Sequence, residues 1–183
     1  MERSATHIAR VSIIGADCTG KTALAASLAE HYDTVWVSEY ARRFLVDNGG
    51  RCSVRDMIHI ATSQIMEEER LVSSAHRVIF SDGSPLASSV WSLRYFGEVQ
   101  PSLQALAQSH RYDLYLFTDI DLPWTADGLR NSQEIRKWLH SAFEAALKSN
   151  GCRFNRVNGI GLDRASSAIA SVDLLLAQLD TSD

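Results

Sequence analysis

The chain has 183 residues, 45% hydrophobic and 22% charged, enough for an ample core within a single domain over 1–183. Its formal net charge of −4 excludes a broad nucleic-acid footprint, which needs clustered Lys and Arg, so any phosphate binding must be local. Cys18, Cys52 and Cys152 are too few and too far apart for a disulfide framework or zinc site, and no stretch suits a signal peptide or membrane span, so a reduced, cytoplasmic location is expected.

Residues 7–14 are an apolar run rich in β-branched side chains (Ile8, Val11, Ile13, Ile14) and predict a buried strand. Residues 22–31 set Leu24, Ala25, Leu28 and Ala29 on one helical face. Between them, Gly15-Ala16-Asp17-Cys18-Thr19-Gly20-Lys21-Thr22 fits G-x-x-x-x-G-K-[ST], the phosphate-binding P-loop or Walker A pattern, at every fixed position. The glycines let successive N–H groups curl toward phosphate oxygens, and the following helix adds its positive end. Lys21 then reaches the β- and γ-phosphates and the Thr22 hydroxyl ligates Mg²⁺. The competing reading, a glycine turn with a chance lysine, does not account for the strand before it and the helix after it.

Residues 33–38 read as a second strand, ending at Glu39-Tyr40-Ala41-Arg42-Arg43, where helical spacing begins. In open α/β sheets ligands bind outside the carboxyl ends of the strands, so Glu39 is expected to face the P-loop cavity; the alternative is a solvated first-turn glutamate. Residues 54–75 predict a long helix with Met57, Ile58, Ala61 and Ile65 inward and Glu67-Glu68-Glu69 as a solvated outer face. The strand over 77–81 delivers Asp82 as a Walker B strand delivers its acid. Gly83-Ser84-Pro85 starts a helix carrying Trp91, Tyr95 and Phe96, which either pack in the core or roof a second-substrate pocket. A short helix (102–110), a strand (112–118) and an irregular polar segment follow; that segment, within 121–136, is expected to form a mobile lid. A helix through Ile135, Trp138, Leu139, Ala142 and Ala146, a strand over 154–157, a turn at Asn158-Gly159-Ile160-Gly161 and a closing helix over 163–179 complete the chain. The alternation predicts an α/β P-loop NTPase: a mostly parallel five-stranded sheet covered by helices on both faces, like nucleoside and nucleotide kinases.

A P-loop alone admits a small-molecule kinase, a GTPase-type switch or an assembly ATPase. The chain lacks the N-K-x-D guanine reader of GTPases, and Gly83 follows Asp82 where an assembly ATPase usually has glutamate. A regulatory ATPase or nucleotide-binding module, or a kinase for another nucleoside, remains as an alternative.

Gly15–Thr22, Glu39-Tyr40-Ala41-Arg42-Arg43, the strand ending in Asp82, Arg111-Tyr112-Asp113-Leu114-Tyr115-Leu116, and Asp121-Leu122-Pro123-Trp124 with Asp127-Gly128-Leu129-Arg130 together resemble the ribosylnicotinamide kinase domain. That domain is the C-terminal part of the trifunctional bacterial regulator of NAD biosynthesis. The resemblance covers nearly the whole chain, and it is a resemblance to a stand-alone kinase domain: the H-x-G-H nucleotidyl-transfer motif is absent. It implies ATP, Mg²⁺ and a nucleoside as partners, with no nucleic acid or membrane, and phosphorylation of the 5′-hydroxyl of nicotinamide riboside. It assigns Gly15, Asp17, Cys18, Thr19, Gly20 and Lys21 to the phosphates, Thr22 and Asp82 to the metal, and Glu39 to the acceptor hydroxyl. The Glu39 and Asp82 roles are exchangeable at this level. Arg130 and Arg136 would close over the phosphates, and Asn158 and Gly159 would pack adenine. Tyr40, Arg43, Trp91, Asp121, Trp124 and Asp127 would surround the acceptor, aromatic faces and carboxylates suiting a pyridinium cation.

Overall fold

The computed structural model describes residues 7–124 and 132–181. Its elements run β1 (Ala9–Ile14), α1 (Lys21–His31), β2 (Trp36–Val37), α2 (Tyr40–Asp47), α3 (Asp56–Val72), β3 (Val78–Asp82), α4 (Pro85–Phe96), α5 (Pro101–Ser109), β4 (Leu114–Thr118), α6 (Gln133–Ser149), β5 (Phe154–Val157) and α7 (Leu162–Asp180). All strand pairs are parallel, in the order β2-β3-β1-β4-β5, so this is the five-stranded sheet of an α/β P-loop fold.

Side chains alternate across the pleat, and because both faces are covered the central strands are mostly apolar on both sides. Val11, Ile13, Val78, Phe80, Leu114 and Leu116 pack against α1 and α7 on one face. Ile14, Tyr115 and Phe117 pack against α4 and α6 on the other. Helices α2, α3, α4 and α5 share a further cluster around Met57, Ile60, Ala61 and Leu103. The Ser84 side chain caps α4 by accepting from the Ala87 N–H, with Pro85 at its first position, and Ser132 caps α6 by accepting from Ile135.

Two local expectations are corrected. The strand over 33–38 shrinks to Trp36–Val37, because Asp33 takes a left-handed turn (φ 49°) and the Thr34 hydroxyl, donating to Val78 O at 2.6 Å, stands in for a ladder bond. The acidic run of α3 is not one solvated face. Glu68 continues the inward stripe of Met57, Ile60, Ala61 and Gln64 and is fully buried at the amino end of the sheet. It accepts from Arg10 Nη1 at 2.6 Å and from the Tyr112 hydroxyl at 2.8 Å. Burial pushes its carboxyl pKa up, but interactions with His110, Tyr112 and Arg10 outweigh this and hold it below the usual carboxylate range. Among the described residues, no helix is long and apolar enough to cross a membrane.

Candidate active site

The carboxyl ends of β1, β3 and β4 converge on the Gly15–Thr22 loop. Ile13 lies opposite Asp82 in the sheet register, and the junction is tied by Gly83 N–H to Ile13 O (3.1 Å) and by Ser12 Oγ to Gly83 O (3.0 Å). Within the loop, Ala16 O accepts from both Thr19 Oγ1 (2.8 Å) and Lys21 Nζ (3.0 Å), so the curl is closed by its own side chains. Thr19 is fully buried, with its hydroxyl 2.7 Å from that of Thr118 at the end of β4. Its side chain therefore pins the loop to the sheet, leaving its backbone for any phosphate contact. Cys18 and Gly20 take left-handed conformations (φ 57° and 75°), and Gly20 leads into α1, whose first N–H groups have no intrahelical partners.

Gly15 is required by a close approach. At φ 150°, a Cβ on this residue would lie 2.3 Å from Thr118 Oγ1 and 3.0 Å from Thr118 O. Gly15→Ala is expected to cost about 1–3 kcal/mol, the usual range for forced overpacking, and to lower Tm by several degrees in a thermal melt. An unchanged Tm would show that the loop has room to spare.

Asp82 ends β3 fully buried. Thr22 Oγ1 donates to its Oδ2 at 2.5 Å, whereas Oδ1 is buried without a partner among the described residues. A threonine hydroxyl beside a carboxylate with an unused buried oxygen suits a hard divalent cation. Mg²⁺ commonly takes one or two protein oxygens and completes its shell with phosphates and water. No cluster of three or more His, Cys, Asp or Glu among the described residues offers an all-protein cage. Thr22 and Asp82 could thus supply at most a few of the oxygens that such a cation needs.

Glu39 lies two residues beyond β2, before α2, its side chain 25% exposed. Burial raises its carboxyl pKa; Lys21 and Arg42 oppose the shift, while Asp82 and Asp17 reinforce it. The structure thus brings Lys21, Thr22, Glu39 and Asp82 into one electrostatic group.

Next to Glu39 and Asp17 opens a recess lined by Ala41, Arg42, Leu45, Met57, Ser88, Trp91 and Tyr95, among others. Trp91 and Tyr95 stack with centroids 5.7 Å apart and planes 15° from parallel, and the Arg42 guanidinium stands 3.8 Å from Glu39. Phe96 instead joins the apolar cluster between α3 and α5.

Several expected acceptor residues are directed elsewhere. With about 3.6 residues per helical turn, Ala41, Arg42 and Leu45 share one side of α2, so Tyr40 and Arg43 must occupy the other. Both line a separate groove beside β2, where Arg43 pairs with Glu67 at 3.3 Å and lies over the Tyr40 ring at 4.5 Å. Asp121 is paired with Arg164 and accepts from Gly159 N–H at 2.7 Å, which binds it to the start of α7 and away from the acceptor recess. Trp124, 37% exposed, is not among the side chains around the recess. Arg136 does not reach over the cleft: it is buried and donates to Cys18 O and Leu122 O. Asn158 stands exposed after β5, and Gly159 has both its N–H and its C=O engaged, the latter by Arg164 Nε at 3.0 Å. Asp127 and Arg130, with the centre of the expected lid, lie outside the described residues. Tyr95, expected with Trp91 either in the core or over a second-substrate pocket, lines the recess, as do Arg42, Leu45, Met57 and Ser88, to which the sequence reading gives no part in it. The i,i+4 spacing of Ala41 with Leu45 and of Trp91 with Tyr95 was the available signal.

A profile of the family described as an AAA domain matches residues 10–164. The trifunctional NAD biosynthesis/regulator protein NadR of Escherichia coli K12 is 29% identical over 153 residues, covering 80% of this chain and 37% of that protein. The chain thus spans less than two fifths of that relative's length. Among solved structures, a NadR protein in complex with NR superposes with a TM-score of 0.80 at 23% identity, over 93% of this chain and 52% of that one. Thymidylate kinase from Ehrlichia chaffeensis superposes with a TM-score of 0.60 at 16% identity, over 91% and 98%. These likenesses carry the P-loop kinase-like fold, and the motifs resemble those of the ribosylnicotinamide kinase part of NadR.

Proposed function

We propose that this chain, which belongs to the family described as an AAA domain, is a P-loop kinase that transfers the γ-phosphoryl group of ATP to the 5′-hydroxyl of nicotinamide riboside, giving nicotinamide mononucleotide. The observation that carries the reading is the recess beside Glu39. It is apolar, walled by the Trp91–Tyr95 stack, and its rim carries the carboxylates of Asp17 and Glu39. Such a wall suits a flat cationic ring, and among the described residues that line it the one cationic group, Arg42, is matched by Glu39.

In this reading the loop amides and Lys21 hold the β- and γ-phosphates, and Thr22 and Asp82 hold Mg²⁺, which supplies charge neutralisation to the phosphates when bound. Glu39 accepts the 5′-hydroxyl proton as the hydroxyl oxygen attacks phosphorus and the bond to the ADP oxygen breaks. Its raised pKa makes it a stronger base than an ordinary carboxylate. The transition state is loose and its charge lies on the phosphoryl oxygens, so most of the catalysis is positioning and electrostatics rather than proton removal.

The test is kcat/KM for nicotinamide riboside beside cytidine, uridine and thymidine, with ATP and Mg²⁺. A cation over an aromatic face gains about 0.5–2 kcal/mol, so nicotinamide riboside is expected to lead by roughly two- to thirtyfold. Equal or better use of a neutral nucleoside overturns the substrate assignment.

A further inference from the structure

The outer side of the phosphate loop is gripped by two buried arginines from helices far along the chain. Arg136, 3% exposed and in the first turn of α6, donates from Nη2 to Cys18 O (3.1 Å) and Leu122 O (2.8 Å). Arg164, 5% exposed and in the first turn of α7, donates from Nη1 to Thr19 O (3.1 Å) and from Nε to Gly159 O (3.0 Å), while Nη2 pairs with Asp121. Each guanidinium therefore bridges one P-loop carbonyl and the 121–122 segment that follows β4. Stability alone is a poor reason for this arrangement. Buried ions are costly to desolvate, and Arg136 Nε has no partner among the described residues, so its own bonds do not fully offset the cost.

The geometry of the peptide unit supplies a better reason. In a planar trans peptide, the C=O of one residue and the N–H of the next point in opposite directions. Holding Cys18 O outward turns the Thr19 N–H inward, and holding Thr19 O outward does the same for the Gly20 N–H. These two consecutive amides then face the interior of the curl, where a phosphate chain would lie.

We infer that Arg136 and Arg164 are positioning residues of the nucleotide site: they orient the Thr19 and Gly20 amides toward the polyphosphate without touching it. The inference deepens the ATP-binding reading above and rests on it. It also gives the two arginines different tolerances. Both bonds of Arg136 come from one nitrogen, so a lysine ammonium can replace them. Arg164 uses three nitrogens in three directions, which no ammonium reproduces.

The experiment titrates ADP into the whole chain by calorimetry for the wild type and for Arg136→Gln, Arg136→Lys, Arg164→Gln and Arg164→Lys. The amide resonances of Thr19 and Gly20 in the wild type are followed through the same titration. Both glutamine variants and Arg164→Lys are expected to bind ADP at least about tenfold more weakly, and Arg136→Lys to stay within about threefold of wild type. The Thr19 and Gly20 resonances should shift on ADP binding. Failure of the wild type to bind ADP would remove the nucleotide reading together with this one. Wild-type binding with glutamine variants of equal affinity, or with a lowered Tm and no change in affinity, overturns the positioning role alone. Thr19 and Gly20 resonances that ignore bound ADP overturn it even if the variants fail to fold.

Discussion

Replacing Lys21 by alanine is expected to lower phosphoryl transfer at least about a hundredfold while leaving the thermal midpoint nearly unchanged. The side chain is half-buried and folds back over the loop, with Nζ 3.0 Å from Ala16 O, so it adds charge to the cleft rather than apolar packing to the core. Its removal acts twice. The phosphates lose a fixed counter-charge, and Glu39 loses the neighbour that most strongly opposes the effect of burial on its pKa. The variant should therefore show a lower rate and an acidic limb displaced further toward neutral pH. A coupled assay of ADP release across pH, beside a thermal melt, reads both. Unchanged turnover would exclude the phosphate-binding role of the lysine.

Glu39→Gln is expected to reduce transfer by roughly 10²- to 10⁴-fold, the range of a positioned general base, while nucleotide affinity is retained. A base works only when ionised, so the wild-type kcat/KM falls as pH drops through the Glu39 pKa. Burial raises that pKa, so the fall begins above the range of an ordinary glutamate, and the glutamine variant lacks it. Stability moves the other way. The folded chain binds this proton more tightly than the unfolded chain does, so stability declines as pH rises from the unfolded pKa through the folded one. At neutral pH the uncharged amide should thus melt no lower than wild type. If Glu39→Gln keeps its rate and its acidic limb while Asp82→Asn loses both, the two acids exchange roles.

The parts of the site that could be read from residues alone are those fixed by local backbone chemistry. The Gly15–Thr22 spacing dictates a curl between strand and helix, and Glu39 and Asp82 follow apolar runs that end at the same edge of the sheet. The parts that could not be read depend on rotation and on distant partners. Helix α2 has only eight residues, none of them buried, so the side that faces the recess is marked by little more than the spacing of Ala41 with Leu45, and the expectation falls on Tyr40 and Arg43 in place of Arg42 and Leu45. Arg136 is expected from the sequence to close over the phosphates. What draws it inward is a pair of carbonyls, and carbonyls leave no trace in side-chain identity. Glu68 looked like one of three solvated acids, because Arg10 and Tyr112, which bury it, lie 58 and 44 residues away.

The grip of Arg164 on Thr19 O joins residues 145 positions apart, and it bears on how the chain reaches its working form. Among the described residues β1 pairs with β3 and β4, both distant in sequence, so this strand waits for partners that are synthesised much later. Contacts of such long range are formed late, after the loop-closure entropy between them has been overcome. A growing polypeptide makes its phosphate motif well before α7, yet the Thr19 carbonyl of that motif gains its Arg164 partner only once α7 has docked. During synthesis the Walker sequence is present long before it is competent, and a nascent chain halted before residue 164 should bind no nucleotide tightly.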